Sequence, residues 1–305
     1  MEYKTFDELV GKIKSAPRGV RMAVAAADDS HTLEAILKAR DEGIISPILV
    51  GNKFLMEKAL DQLGASFPDE DMIDAPELTD SAQRAVALVK GGEAAFLMKG
   101  NLDTSIILKA VVNRENGLRK GDALMSHFTI FEIPSYHKLL CPVDGGMVTY
   151  PDLMQKKAII ENTVETLLKM GYDCPKVGVL ASVEKLNPKM PETVEADALK
   201  QMNLKGEIKN CIVEGPISYD CAVSREIAEL KGFESPVGGE ADILLAPNIH
   251  AGNIMGKMLT VTCGAKMAGF VVGATCPIVL TSRGSCAEEK YLSIVLSAAV
   301  AQMGE

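Results

Sequence analysis

Short apolar runs alternate with amphipathic stretches along most of the chain. RMAVAAA and PILVG are apolar runs that predict buried strands, and DSHTLEAILKARDEG between them has helical spacing. The same order returns later, with KVGVL, CIVEG, ADILLAP and AGFVVG as predicted strands. Strands that are apolar throughout and alternate with helices indicate parallel βαβ units with helices on both faces. We therefore predict an α/β protein with parallel-type sheets.

One segment interrupts this alternation. PSYHKLLCPVDGGMVTYPD, residues 134–152, is rich in proline and glycine and carries no helical pattern. A chain of 305 residues is long enough for two domains of ordinary size. We place a domain boundary within this segment.

Composition and charge exclude several classes of protein. The formal net charge of -9 argues against sequence-independent binding of nucleic acid. No apolar run reaches the roughly 18 residues of a membrane helix, and the charged N-terminus lacks a signal-peptide pattern. Seven cysteines without CxxC spacing predict reduced thiols in the cytoplasm, and four scattered histidines predict no metal site. We expect no membrane or nucleic-acid partner.

The run PIVLTSRGSCAEEK brings polar residues to the end of a strand and the start of a helix. Ser285 and Glu288 have the spacing of a capping box, which leaves Glu289 free. A helix start attracts anions, Arg283 offers two parallel donors to phosphate, and Gly284 permits close approach of a ligand. An ordinary turn with a surface arginine is the open alternative.

A second polar cluster lies in APNIHAGNIMGKML. Gly252 and Asn253 stand near a predicted helix start, and Lys257 follows one turn later, so this segment is a candidate phosphate site. An Asx-capped helix with a solvated lysine is the alternative. Further polar clusters follow strands at residues 28–29 and 99–101. Ligands of open α/β sheets bind beyond the carboxyl ends of strands, so we expect these clusters to face one interdomain cleft.

Four segments, taken together in order and spacing, resemble the phosphate acetyltransferase/butyryltransferase family, and its butyryltransferase-like branch in particular. They are MKGNLDTSIILKAVVNRENGLR with LMSHFTIFEIP, VEGPISYDCAVS, GGEADILLAPNIHAGNIMGK, and PIVLTSRG followed by an acidic helix start. The resemblance implies exchange of coenzyme A and inorganic phosphate on a short acyl group such as butyryl. Acyl-CoA, CoA, phosphate and acyl phosphate would be the ligands, with CoA a substrate and no cofactor. A homo-oligomer is also expected.

The resemblance also implies a fold and a division of the chain. Two α/β domains would flank a deep cleft, as in isocitrate and isopropylmalate dehydrogenases. Residues 1–137 and 284–305 would form the first domain, because the C-terminal helix returns to it, and residues 138–283 the second.

The resemblance assigns roles to particular residues. Ser282 and Arg283 would line the active site, and Glu289 would be the base that takes the thiol proton, at a position where the acetyltransferases usually carry aspartate. The implied substrate-binding residues are Gly252, Asn253, Lys257, Gly284, Ser126 and His127. A glutamate near a helix N-terminus should have a low pKa, however, whereas a thiol titrates near ~8.5.

Other functions stay open at this point. The acyl group could be acetyl rather than butyryl. Cys286 could carry the acyl group covalently, although no histidine lies near it in sequence. A metal- and NAD-dependent dehydrogenase of similar fold would need clustered aspartates and a nicotinamide site, for which the sequence shows no pattern. A non-catalytic CoA-binding protein is the remaining class.

Overall fold

The computed structural model of the protein describes residues 3–14, 19–282 and 284–302. The chain divides into two compact units. We call Asp7–Ala123 with Ala268–Glu305 the terminal unit, and Met1–Phe6 with Leu124–Met267 the central unit. Both units combine helices with mainly parallel strands, which confirms the predicted α/β class.

The borders of these units differ from the boundaries expected after residues 137 and 283. The strand that follows residue 124 bridges to Leu140 in the central unit, through Phe131. At the other border, the two strands before the last helix pair with each other and with a strand of the terminal unit. Both observed borders therefore lie closer to the N-terminus than expected.

The terminal unit contains most of the first third of the chain and its last helix. Its helices are α1 (Phe6–Lys14), α2 (Ser30–Asp41), α3 (Lys53–Gln62), α4 (Leu78–Lys90), α5 (Thr104–Val111) and α11 (Ala287–Gln302), with a 3₁₀ turn at Asp69–Asp71. Its strands are β1 (Val20–Ala25), β2 (Ile45–Gly51), β3 (Met72–Asp74), β4 (Phe96–Lys99), β10 (Lys266–Val272) and β11 (Ile278–Val279).

These strands lie in the order β3-β2-β1-β4-β11-β10. Neighbours from β3 to β11 are parallel, with Val24 of β1 paired to Leu49 and Met98 on either side. The pair β10–β11 is antiparallel, which the sequence prediction of parallel strands missed. The connection between these two strands is too short for the helical crossover that a parallel pair requires.

Helix α11 is buried on all sides over most of its length. Every residue from 290 to 300 is buried, and the helix packs against α2, β1, β4 and β11. A helix that is apolar all round belongs in the interior of a domain, because each face must be removed from water. The position of the first turn of α11 is therefore fixed by the core.

The central unit is built around four parallel strands. Its strands are β5 (Ser126–Glu132), β6 (Cys141–Val143), β7 (Lys176–Leu180), β8 (Ile212–Ile217) and β9 (Ile243–Leu245), and the parallel order is β6-β9-β7-β8. Its helices are α6 (Leu153–Lys169), α7 (Pro191–Leu204), α8 (Tyr219–Val223), α9 (Arg225–Leu230) and α10 (Ile249–Val261). Pro191 begins α7, as its helix-starting preference predicts. No helix in the described part of the chain combines the length and apolarity needed to cross a membrane.

A buried ion pair lies at the start of β9. The ammonium group of Lys138 is 2.7 Å from Oδ1 of Asp242, and both side chains are 2% exposed. The other carboxylate oxygen of Asp242 accepts a hydrogen bond from the backbone N–H of Lys176, at the first residue of β7. The pair therefore links the segment before β6 to two neighbouring strands.

Replacing Asp242 by asparagine should lower the free energy of unfolding by about 3–5 kcal/mol, because Lys138 would keep a buried charge without its nearest counter-ion. Glu240, 3.9 Å from the same ammonium group, would offset part of the loss. Urea denaturation monitored by circular dichroism measures the difference. The matched control is Asp80→Asn, which removes an exposed ion pair with Arg84 and should cost under about 1 kcal/mol. Equal losses in the two variants would contradict the prediction.

Candidate active site

The segment from β11 into the first turn of α11 contains three predicted site residues that the structure describes. Ser282 and Gly284 are exposed, and the backbone N–H of Gly284 donates to the Ser282 hydroxyl at 3.3 Å. Glu289 lies in the first turn of α11 and is partly exposed. Arg283, the predicted phosphate ligand, lies outside the described residues. The structure therefore describes three of the four predicted site residues of this segment.

The Ser285 hydroxyl does not form the predicted capping box with Glu288. Helix α11 begins at Ala287, two residues after Ser285. The hydroxyl donates instead to Oε1 of Glu289 at 2.6 Å, and Ser285 is 6% exposed. Because the helix starts later than predicted, the serine faces the carboxylate one position further along. The two adjacent glutamates thus differ in environment, with Glu288 exposed and Glu289 partly buried.

The pKa of Glu289 is raised above its ordinary value. Burial is the main cause, while the hydrogen bond from Ser285 and the charge of Lys290 act in the opposite direction. The ammonium group of Lys290 is itself directed to α2, where it lies 3.0 Å from Thr32 Oγ1 and 3.6 Å from Asp29 Oδ1. The helix start alone predicted a low pKa; burial outweighs it and makes the carboxylate a stronger base.

Two of the predicted polar clusters also meet in the terminal unit. The backbone N–H groups of Gly100 and Asn101, after β4, donate to the carbonyls of Ala25 and Ala26, at the end of β1, both at 2.8 Å. A Cβ atom at Gly100 would lie 2.2 Å from the Ala26 oxygen, so only glycine permits this approach. Asn101 also hydrogen-bonds Asp28, whose pKa burial raises. The carboxyl ends of β1 and β4 converge as predicted.

A second group of predicted residues lies in the central unit, around the Asp144 carboxylate. Asp144 follows β6, is 2% exposed, and accepts hydrogen bonds from the backbone N–H groups of His127, Gly146 and Met147 at 2.7–2.8 Å. Three donors to one buried carboxylate hold the loop after β6 in a single conformation. Sequence reasoning missed Asp144, because its partner His127 lies 17 residues away.

The same loop packs against the first turn of α10. A Cβ atom at Gly252 would lie 2.5 Å from the Asp144 carbonyl oxygen, and the side-chain amide of Asn253 donates to the Gly145 carbonyl at 3.0 Å. Asn248 caps α10 by accepting from two backbone N–H groups of its first turn. Lys257 is exposed one turn after Asn253. Gly252 and Asn253 therefore have structural contacts, and their role toward substrate stays a prediction.

Ser126 and His127, also predicted to bind substrate, lie at the start of β5. Ser126 is 1% exposed, and its hydroxyl accepts from the Asn162 side chain at 3.0 Å. This contact ties β5 to α6 and gives Ser126 a structural partner. His127 is half-buried, and burial lowers its pKa while the Asp144 charge opposes the shift. His127 is therefore neutral at neutral pH, and its role toward substrate also stays a prediction.

One further polar cluster lies in the central unit and contains none of the predicted site residues. Glu184, Asp220 and Cys221 place potential metal-binding atoms within 4.8 Å of one another. Lys231 already forms ion pairs with both carboxylates, at 2.9 and 3.0 Å. One ammonium group thus bridges the two carboxylates and offsets one of their two charges. No spacing in the sequence indicates it, because its members lie in three separate segments.

The comparisons with known proteins agree with the resemblance seen in the sequence. A family model described as phosphate acetyl/butaryl transferase matches residues 70–298. The chain is 41% identical over 298 residues to a phosphate butyryltransferase of Clostridium acetobutylicum, covering 98% of each chain. It is 41% identical over 284 residues to a phosphate acetyltransferase of Thermotoga maritima, covering 93% of this chain and 96% of that one.

A solved structure extends the likeness to three dimensions. The crystal structure of a branched-chain phosphotransacylase from Enterococcus faecalis V583 superposes with a TM-score of 0.80 and 29% sequence identity, covering 92% of this chain and 99% of that one. The fold, the parallel strand ends and the matched residues define an α/β acyltransferase. The chain belongs to the phosphate acetyl/butaryl transferase family of enzymes, which confirms the resemblance.

Two glycines of α10 provide a matched test of the contact with the loop after β6. Gly252→Ala should destabilise the protein by about 1–3 kcal/mol, because the added methyl group would overlap the Asp144 carbonyl. Gly256→Ala should be neutral or stabilising by up to about 1 kcal/mol, because its Cβ would meet only Phe131, at an ordinary 3.5 Å. Thermal unfolding of both variants tests this, and equal shifts in the same direction would contradict it.

Proposed function

We propose that the protein exchanges coenzyme A and inorganic phosphate on a short-chain acyl group, butyryl-CoA plus phosphate giving butyryl phosphate plus CoA. The observation that carries the proposal is Glu289, a partly buried carboxylate whose pKa is raised and whose Oε1 is held by Ser285 beside an exposed serine–glycine loop. Membership of the family and the two relatives at 41% identity support it. CoA acts as a substrate, and no cofactor takes part.

The reaction proceeds by direct transfer. Glu289 takes the proton from the CoA thiol, and the thiolate sulfur attacks the carbonyl carbon of the acyl phosphate. As the C–S bond forms, the bond between the carbonyl carbon and the phosphate oxygen breaks, and phosphate leaves with the electron pair. Ser282 is exposed on the loop before α11, and its hydroxyl supplies the hydrogen bond to the sulfur or to the developing oxyanion.

Arg283 completes the proposed site from its place in the sequence, between Ser282 and Gly284. A guanidinium group matches the geometry of phosphate and would offset charge in the tetrahedral transition state. The further residues proposed to bind substrate are Gly252, Asn253, Lys257, Ser126 and His127. The exposed ammonium group of Lys257 is the member of this set best suited to a phosphate group.

We further propose that the protein acts in the cytoplasm as a homo-oligomer. The seven cysteines all lie within the described residues and are free thiols, as expected in a reducing compartment. The exposed apolar side chains of Ile254, Met258 and Val261, at helical spacing on α10, support association of copies. The net charge of -9 disfavours a nucleic-acid partner.

Glu289→Gln should lose about 10²- to 10⁴-fold in turnover, because glutamine cannot accept the thiol proton. The substitution should not destabilise the fold. The raised pKa means that the carboxylate favours the folded state only below its unfolded pKa of about 4.5, and this contribution is lost as pH rises. At neutral pH the neutral amide should therefore leave the unfolding midpoint unchanged or higher. Steady-state kinetics and thermal unfolding measure the two effects.

The neighbouring residues supply the controls for this variant. Glu288→Gln alters an exposed acid of the same turn and should keep turnover near that of the wild type. Cys286→Ala should also stay active, because direct transfer needs no covalent acyl carrier. Wild-type turnover in Glu289→Gln would show that Glu289 is not the catalytic base. An inactive Cys286→Ala would favour the covalent route.

A panel of acyl-CoA thioesters tests the reaction and its acyl preference. We expect phosphate-dependent release of CoA thiol, with kcat/KM highest for butyryl-CoA and lower for acetyl-, propionyl- and isobutyryl-CoA. Each methylene group in an apolar pocket changes kcat/KM by roughly 10- to 200-fold. A preference for acetyl-CoA would replace butyryl by acetyl in the proposal. If no thioester releases CoA thiol, the result would favour the alternative of a CoA-binding protein without catalytic activity.

A further inference from the structure

The carboxylate of Glu289 has two oxygens in different environments. Oε1 accepts the hydroxyl of Ser285 at 2.6 Å. Oε2 has no hydrogen-bond or ion-pair partner among the residues that the structure describes. Because Oε1 already accepts a hydrogen bond, Oε2 is the oxygen of this carboxylate that remains available to accept a proton.

We propose that Ser285 is a positioning residue for Glu289, holding Oε1 so that Oε2 is the oxygen that takes the thiol proton. This inference deepens the proposed function and rests on it. Ser285 touches no reacting atom in this arrangement, because its hydroxyl has one proton and donates it to Oε1.

The position of Ser285 is itself fixed by the loop. The backbone N–H of Ser285 donates to the Ser282 carbonyl at 3.1 Å, and the residue is 6% exposed. The far side of Glu289 is held as well, because the Ser293 hydroxyl donates to the Glu289 carbonyl and accepts from the Gly269 N–H. Backbone and carboxylate of Glu289 are thus held by two different serines, which can be tested separately.

Four other charged groups among the described residues of the terminal unit have partners of their own. Lys290 is directed to Thr32 and Asp29 of α2, and Lys99 at the end of β4 donates to the carbonyls of Gly100 and Leu102. Asp28 after β1 hydrogen-bonds Asn101, and Lys38 of α2 lies over the Tyr291 ring. Besides Ser285, only Lys290 affects the ionisation of Glu289 among the described residues.

The hydrogen bond has a consequence for the working pH of the enzyme. Burial raises the pKa of Glu289, and the Ser285 hydroxyl opposes this rise because it stabilises the ionised form. A base must be ionised before the thiol arrives, yet must bind a proton well. The Ser285 hydroxyl therefore favours the ionised form of this partly buried carboxylate, while burial favours the protonated form.

Three variants test the inference against a purely structural role. In Ser285→Ala the acidic limb of the pH profile for kcat, measured with acyl phosphate and CoA between about pH 5 and pH 9, should move upward by about one pH unit. The loss in kcat should be about tenfold on that limb and only a few-fold on the alkaline plateau, with KM for CoA unchanged. Ser285→Thr keeps the hydroxyl and should restore the profile.

Ser293→Ala is the matched control. It removes a serine hydroxyl from the same helix at the backbone of Glu289, and it leaves the carboxylate contact in place. It should lower the unfolding midpoint without moving the pH profile. An equal shift of the profile in Ser285→Ala and Ser293→Ala, or no shift in Ser285→Ala, would overturn the inference.

A measurement without turnover separates this inference from the proposed function. The ¹³C resonance of the Glu289 carboxyl carbon, identified by its loss in Glu289→Gln, should titrate at higher pH in Ser285→Ala than in the wild type. If it does not move while Glu289→Gln abolishes turnover, the role of Ser285 is wrong and the proposed function stands. If Glu289→Gln keeps wild-type turnover, the proposed function fails whatever the resonance shows.

Discussion

The burial of α11 is the constraint on which the candidate site depends. Residues 290–300 are all buried, so the helix cannot rotate or slide without exposing apolar surface or creating cavities. Its first turn is therefore presented at one place beside the loop that carries Ser282 and Gly284. The ammonium group of Lys290 adds a polar anchor to α2 at the point where the helix leaves the core. A rigid core element thus orients a base whose own side chain is only partly buried.

The chemistry of Glu289 follows from a balance of two opposing effects. Full solvation would leave the carboxylate an ordinary weak base, and full burial without a donor would keep it protonated. Partial burial with one hydroxyl donor lies between these limits. The same balance lowers the free energy of unfolding. A carboxylate whose pKa is raised on folding destabilises the folded state at pH values above its unfolded pKa. Such destabilisation is typical of functional sites, and the extensive core around α11 can offset it.

The sequence predicted the elements better than it predicted their contacts. The βαβ alternation, the start of α7 at Pro191 and the meeting of the polar segments after β1 and β4 all follow from local patterns. The partner of Ser285 did not follow, because it depends on where α11 begins, and a shift of one or two residues changes which side chain the serine faces. The contact of Asp144 with His127 arises from strand placement that no short pattern encodes.

The sign of the pKa shift at Glu289 shows why local reasoning fails at such sites. A helix start lowers the pKa of an acid through the N–H groups of a single turn, and this effect can be read from the sequence. Burial raises the pKa of Glu289, and burial depends on tertiary packing that no local pattern encodes. The two effects oppose each other at this residue, and the tertiary one is larger. The basicity proposed for catalysis is thus a property of the assembled core, with Ser285 as the local contact that opposes the rise in pKa.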